Sequence, residues 1–362
     1  MLQECVNVLD QAVREGAFPG AVLIVDHAGV LIHQSAHGNL GSQANTPATL
    51  QTWYDLASLT KILATVPLYM LAVSKGFDLN WPLAALLPDI KDKRLAASPF
   101  EYLLEHRSGL PAWLPLYKNI PQRSWGSYSA REMLFNILIN LECEAVPGER
   151  ELYSDLDFML LGFCIEKYFL ENMDTVFMER IANPLKADLA YSPMENPFSF
   201  PTGVAPTQNC PDRHRVLEGE VHDLNAYVAG GVMGHAGLFG TAFGCGRVGR
   251  EILNAWMDKR SIFANAAVKK FAIKKDSSRR FALGFDTPDE IDSQAGEKIS
   301  KRSIGHWGFT GTGMWLDPDR NLAIVLLTNR IHPDTDNQKI TQIRPKVFDA
   351  IIEEHDERTK SA

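Results

Sequence analysis

The sequence predicts an α/β (α+β) fold in which a mainly antiparallel sheet, built from the two ends of the chain, is joined to a helical lobe inserted between them. Two observations carry this. β-prone runs lie near the N-terminus (Ala21 to Val25 and Val30 to Gln34) and return near the C-terminus (Phe281 to Phe285, Gly313 to Leu316 and Leu322 to Thr328). Between them, from Leu56 to about Phe177, apolar residues recur at helical spacing, broken by Pro- and Trp-rich loops such as Leu110 to Pro115. The chain has 362 residues and 45% hydrophobic content, enough for a sizeable core.

Each element follows in order. Leu2, Val6, Leu9 and Val13 stand at helical spacing between Met1 and Gly16. This opening helix lacks the basic start and apolar run of a signal peptide, so a cytoplasmic location is expected. Asp26-His-Ala-Gly29 has the composition of a short hairpin turn between the first two strands. The stretch from Ala182 to Asp223 is proline-rich and aperiodic, the pattern of a long surface excursion that shapes a cleft. A last helix is expected from about Gln338 to Glu354. These elements form one domain over 1–362, with a sheet lobe at about 1–54 and 240–362 and a helical lobe with surface loops at about 55–239.

Bulk properties exclude several function classes. Lys plus Arg number 36 against 44 for Asp plus Glu, a net charge of -8 with no basic cluster, which argues against nucleic acid as a partner. The longest apolar run, Ile62 to Val73, is too short for a membrane span and contains Pro67. The five scattered cysteines form no CxxC pair and read as reduced, buried thiols. The ten histidines show no metal-ligand spacing, so neither a metal nor another cofactor is expected. Oligomeric state is not legible.

Three segments carry chemistry. In Asp55-Leu-Ala-Ser-Leu-Thr-Lys61, Ser58 and Lys61 share a helix face at i, i+3, bringing hydroxyl and amine within reach of each other. Desolvation beside the apolar run is expected to lower the Lys61 pKa and make it a base, and the Ser58 N–H at a helix start can face an oxyanion. In Tyr153-Ser-Asp155 a phenol at a helix-capping turn can shuttle a proton next to an ammonium. In Gly305-His-Trp-Gly-Phe-Thr-Gly311, Gly308 permits close approach of substrate to a backbone whose Phe309 N–H is a second oxyanion donor.

The order Ser-x-x-Lys, Tyr-x-Asp, His-x-Gly resembles that of the class C β-lactamases, the DD-peptidases and the esterases that share their fold. Spacing agrees, with Tyr153 95 residues after Ser58 and His306 153 after Tyr153. The likeness runs on through Phe18-Pro-Gly-Ala-Val22, Leu103-Leu-Glu-His-Arg-Ser-Gly-Leu-Pro111, Val221-His-Asp-Leu-Asn225, Gly234-His-Ala-Gly-Leu-Phe-Gly240 and Thr310-Gly-Thr312, over nearly the whole chain. The resemblance implies a β-lactamase/transpeptidase-like fold in which Ser58 is acylated, Lys61 and Tyr153 move its proton, and Ser58 and Phe309 supply oxyanion N–H groups. Asp155 takes the place of an asparagine, and His306 that of the third-motif lysine.

Those departures bear on substrate. A mostly neutral His306 and a Trp307 with no hydroxyl weaken recognition of an anionic β-lactam, and Trp307 offers a flat apolar wall instead. Arg107 or Arg302 are the candidates to restore a cation in the cleft. His222, Asp223 and His235 are read as loop-holding residues, and Trp113, Tyr117 and Trp125 as packing. The expected function is hydrolysis of a small-molecule ester, amide or lactam through a Ser58 acyl-enzyme, carboxylesterase- or amidase-like with weak β-lactamase activity. A D-amino-acid peptidase is the alternative enzyme, and a penicillin-binding sensor with little turnover the alternative outside enzymes.

Overall fold

A computed structural model describes residues 2–41 and 46–361. Ten strands occur among them: β1 (Gly20–His27), β2 (Val30–Gly38), β3 (Tyr54–Asp55), β4 (Leu189–Tyr191), β5 (Asn209–Cys210), β6 (Arg215–Val216), β7 (Leu238–Gly240), β8 (Ile304–Trp307), β9 (Gly313–Asp317) and β10 (Leu322–Thr328). The main sheet has the order β2-β1-β10-β9-β8, with every pair antiparallel. The chain termini thus meet in its middle, where Ala21 faces Thr328 and His27 faces Leu322.

Strand alternation divides the core between two faces. Val22 and Ile24 of β1, with Val325 and Leu327 of β10, pack toward the helical lobe. Leu23, Val25, Ile324 and Leu326 pack against the N-terminal helix (Gln3–Arg14) and the C-terminal helix (Ile340–Ser361). On β8, by the same alternation, Ile304 packs on the helical-lobe side and Trp307 on the terminal-helix side. A second, short sheet β3-β7-β4 hangs the chain just ahead of Ser58 from Leu238–Gly240.

The observed strands differ from the expected ones: the short strands β3 to β7 lie where helices and an aperiodic excursion were expected. Phe281 to Phe285 is not a strand. Its amides bond to helical partners, Leu283 N to Phe271 O at 3.2 Å and Gly284 N to Leu104 O at 2.8 Å, and Gly284 adopts φ +83 against Val66, so no ladder forms. The Gly305 to Trp307 stretch, singled out for its chemistry, belongs to the edge strand β8. No helix of the described residues is long and apolar enough to cross a membrane.

Candidate active site

Ser58 follows β3 on a tight turn. Ala57 holds the left-handed region at φ +46, a costly conformation for a residue with a Cβ, and its N–H donates to Asp55 Oδ1 at 2.8 Å. Thr60 and Lys61 then bond back to Ala57 O and Ser58 O at 3.0 Å, opening the π-helical turn Lys61–Thr65 and the buried helix Val66–Ser74. Lys61 is fully buried. Its ammonium donates to Ser58 Oγ at 2.9 Å, Asp155 Oδ1 at 2.7 Å and the His235 carbonyl at 3.3 Å, which uses all three of its hydrogens.

Tyr153 and Asp155 come from the start of the helix Asp155–Phe169. Tyr153 donates from its phenol to Ser58 Oγ at 2.9 Å, and Lys61 Nζ lies 5.0 Å from its ring centroid. Burial pushes Tyr153 up to about 12 against the pull of Lys61. His106 packs 4.7 Å from the same ring and accepts from Ser154 N at 3.1 Å, so a buried imidazole props the phenol from behind.

For Lys61 the balance is the reverse of the one expected. Burial pulls the ammonium down, but Asp155 and Tyr153 together outweigh it and hold Lys61 above the ordinary lysine range. The aspartate in place of an asparagine is the reason, since only a carboxylate forms the ion pair.

The end of β8 abuts the Ser58 turn. A Cβ on Gly308 would fall 2.6 Å from Leu56 O, so only glycine fits there. Thr310 Oγ1 donates to Asp55 O at 2.7 Å and Thr312 Oγ1 to Leu56 O at 3.1 Å, stitching the two segments together. Neither the Ser58 N–H nor the Phe309 N–H has an acceptor among the described residues. His306 donates from Nδ1 to Trp307 O at 2.7 Å, and burial with Lys61 nearby takes it down to about 3, so it is neutral and its Nε2 is an acceptor.

Ser58, Tyr153, Asp155, His306, Trp307, Gly308 and Phe309 all line one cleft of about 820 Å³. Arg107 does not: its guanidinium bonds Glu105 and the Gly148 carbonyl and lies 4.5 Å from the Tyr102 ring centroid. Arg302 does not either, being an exposed partner of Asp319. Trp307 borders the cleft, yet its ring packs against Trp315 and Phe348 on the far face of the sheet.

Three arginines that the sequence did not single out do line the cleft; one, Arg280, is paired with Asp286. Arg344, only 8% exposed, stacks 4.2 Å from the Trp307 ring centroid, and its Nη2 makes only 3.5 Å contacts to Gly308 O and Thr312 O. Its Nε has no partner. Arg330 bonds only carbonyls, those of Phe309, Thr335 and Asn337. Two buried guanidiniums therefore border the cleft without a carboxylate among the described residues. A signal existed: Arg344 falls on the helix stripe Ile340, Val347, Ile351, where an apolar residue belongs.

His222, Asp223 and His235 hold loops, as expected, but also line the cleft. Asp223 Oδ1 accepts from Ala226 N at 2.7 Å and from His235 Nε2 at 3.0 Å, while His222 Nε2 pairs with Gln208 Oε1 at 3.0 Å. Tyr117 and Trp113 border the same wall and Trp125 lies behind it, 6.1 Å from Tyr117 between ring centroids. No cluster of three or more His, Cys, Asp or Glu side chains suited to a metal occurs among the described residues.

Comparison with known proteins identifies the family and the fold. Among curated relatives, N-acetylmuramyl-L-alanine amidase of Bacillus subtilis is 31% identical over 96% of this chain and 84% of its own length. The solved structure of EstCE1, a hydrolase with promiscuous acyltransferase activity, superposes with a TM-score of 0.76 at 19% identity, over 97% of this chain and 98% of that one. A penicillin-binding protein homologue from Caulobacter crescentus does so at 0.74 and 17% identity, over 97% and 96%. The Beta-lactamase family model matches residues 6–347, and the chain belongs to that family of serine hydrolases.

Proposed function

We propose that this serine hydrolase acts through an acyl-enzyme on Ser58, and that its substrate is an amide whose leaving half carries a carboxylate. One observation carries the reading: Ser58 Oγ accepts hydrogen bonds from both Lys61 and Tyr153 at 2.9 Å, beside two unpaired backbone N–H groups.

In this scheme Ser58 Oγ attacks the carbonyl carbon as its proton passes to the Tyr153–Lys61 pair, in the form that has already lost one proton. The carbonyl oxygen, now an oxyanion, is met by the Ser58 and Phe309 N–H groups; losing one such donor costs about 10²- to 10³-fold in rate. As the C–N bond breaks, Tyr153 gives its proton to the leaving nitrogen. Water then attacks the ester, passes its proton back along the same route, and frees the acid and Ser58.

An amide suits a pair that binds protons strongly, because an amine leaves only once protonated. Arg344 and Arg330 support the carboxylate: an unpaired buried cation is costly, and an anionic substrate supplies the missing partner. The amidase relative is named for an amide of just this kind, with alanine as the leaving half.

Intact mass after treatment with a fluorophosphonate, and separately with a penicillin, tests the nucleophile. A single adduct absent in Ser58→Ala is the expected result. An adduct that persists in Ser58→Ala overturns the assignment, and a stable penicillin adduct without ester turnover favours the sensor reading.

A further inference from the structure

We propose that the free oxygen of Asp155 is a recognition point for a cation on the acyl half of the substrate, an ammonium on the carbon next to the scissile carbonyl. This rests on the acyl-enzyme reading above and deepens it. With a carboxylate on the leaving half, the substrate is charged at both ends, as an unblocked dipeptide is.

Asp155 has bonding capacity to spare. Oδ1 accepts from Lys61 Nζ at 2.7 Å, and Oδ2 has no hydrogen bond among the described residues. The side chain is 19% exposed and lines the cleft, whereas both oxygens of Asp157 are sealed from solvent. A carboxylate only accepts, so the substrate group that meets Oδ2 is a donor, and a carbonyl or ether oxygen there is repelled. Two hydrogen bonds fix its place, 2.7 Å from Oδ1 to Lys61 Nζ and 2.9 Å from Nζ to Ser58 Oγ. That chain is short enough for a group one carbon from the carbonyl attacked by Ser58 to reach Asp155.

Charge decides between a neutral donor and an ammonium. In the scheme above the Lys61–Tyr153 pair enters the reaction one proton short and is neutral, so Asp155 leaves the group with one net negative charge. Its buried neighbours do not offset that charge. Burial and Lys61 keep His106 and His306 uncharged, and burial holds Asp157 well above the ordinary carboxylate range. Arg280 lines the cleft but spends its charge on Asp286, at 2.7 Å and 2.8 Å. An unbalanced charge is costly in a site that substrate has emptied of water. An ammonium on Oδ2 removes the imbalance and makes the proton-deficient form easier to reach; a hydroxyl satisfies the oxygen without correcting the charge.

The test uses four compounds with one leaving half: alanyl-alanine, lactoyl-alanine, propionyl-alanine and N-acetylalanyl-alanine, with each chiral centre in both configurations. They are assayed near pH 7, where an α-amino group is mostly protonated. We expect kcat/KM for the best alanyl-alanine isomer to exceed that of its three counterparts about 10- to 100-fold, the range of one charge-assisted hydrogen bond. In Asp155→Asn that preference is expected to fall to about threefold or less. N-acetylalanyl-alanine should gain on propionyl-alanine there, because the asparagine amide donates to an acetyl carbonyl. Ratios taken within one variant cancel the effect of the substitution on Lys61. A lactoyl compound cleaved as fast as the alanyl one, a preference for the blocked acyl half, or an equal loss on all four compounds in Asp155→Asn overturns the proposal. If none is cleaved, the four are compared as competitive inhibitors of p-nitrophenyl butyrate hydrolysis. Tighter inhibition by alanyl-alanine that Asp155→Asn removes supports the ammonium site, and equal inhibition constants, or no inhibition at millimolar peptide, overturn it. Ser58-dependent ester turnover reports on the acyl-enzyme reading separately, so the two fail in distinguishable ways.

Discussion

Asp155 Oδ1 lies 2.7 Å from Lys61 Nζ, and this ion pair, not burial, sets the charge of the lysine. A lysine kept protonated must lose a proton before the Lys61–Tyr153 pair can take one from Ser58. The expected consequence is a rate that climbs through the alkaline range, about tenfold per pH unit below the pair's apparent pKa. Asp155→Asn removes the ion pair, so the rising limb is expected to move to lower pH by about one unit or more, each unit being worth 1.36 kcal/mol. The profile of kcat/KM on p-nitrophenyl acetate, corrected with Ser58→Ala for spontaneous hydrolysis, checks it. A limb that stays in place means that Asp155 does not govern the titration.

In the proposed scheme Tyr153 protonates the leaving amine; its phenol donates to Ser58 Oγ at 2.9 Å. Tyr153→Phe keeps the ring against His106 and removes only the hydroxyl, so stability should change little while kcat falls about 10²- to 10⁴-fold. The loss is expected to be larger on an amide than on a p-nitrophenyl ester, whose leaving group needs no proton. Parallel assays on the two substrates decide the matter, and equal losses would deny Tyr153 the role of acid.

Under the proposed function, Arg344 is a charge kept for the substrate at a cost in stability. It is buried, has no carboxylate partner among the described residues, and sits on the apolar stripe of the C-terminal helix. Arg344→Met preserves the unbranched stem over Trp307 and deletes the cation. Thermal stability should hold or rise, while KM for an N-acylamino acid climbs at least about tenfold with a smaller effect on the matching amino-acid amide, which has no carboxylate. A lower Tm with unchanged KM would make the residue structural.

The clustering of Ser58, Lys61 and Tyr153 was legible because its signal is local and chemical. Ser58 and Lys61 meet through helix geometry, and Tyr153 precedes an evident helix start. Arg344 and Arg330 were not, since their nearness to Gly308 and Phe309 depends on how the C-terminal helix docks against an edge strand. Phe281 to Phe285 has strand composition, but its backbone finds partners on helices, and no local pattern announces that. The Lys61 charge was misjudged because desolvation is visible in an apolar run whereas an ion partner 94 residues away is not.

Trp307 is packed into the far face of the sheet and stands at the position proposed to disfavour β-lactams. Threonine at that position supplies the hydroxyl that third-motif β-lactam recognition uses, so Trp307→Thr is expected to raise nitrocefin hydrolysis relative to ester hydrolysis. It also removes a ring packed against Trp315 and Phe348 and stacked under Arg344, at a cost of about 3–5 kcal/mol at the upper end for a large-to-small change. The nitrocefin-to-ester ratio and urea unfolding of the same variant separate the two effects; an unchanged ratio would show that the missing hydroxyl is not what limits β-lactam turnover.

Asp55 links the Ser58 turn to stability at low pH. It is buried, accepts from Ala57 N at 2.8 Å and from His222 N at 2.7 Å, and burial pushes it up to about 6 despite those bonds. Since the folded pKa lies above the unfolded one, the native state binds the proton more tightly. The stabilisation from protonated Asp55 is therefore full below about pH 4 and is lost as pH rises through 6. The shift of about two units is worth up to ~3 kcal/mol. Asp55→Asn cannot titrate, so its stability relative to the parent should increase by up to that amount between pH 4 and pH 7, while its kcat falls as the left-handed Ala57 loses a firm anchor. Urea denaturation at four pH values across this window measures the first effect. A difference that stays constant with pH would mean that Asp55 is ionised throughout, held by the Ala57 and His222 N–H groups more strongly than burial opposes it.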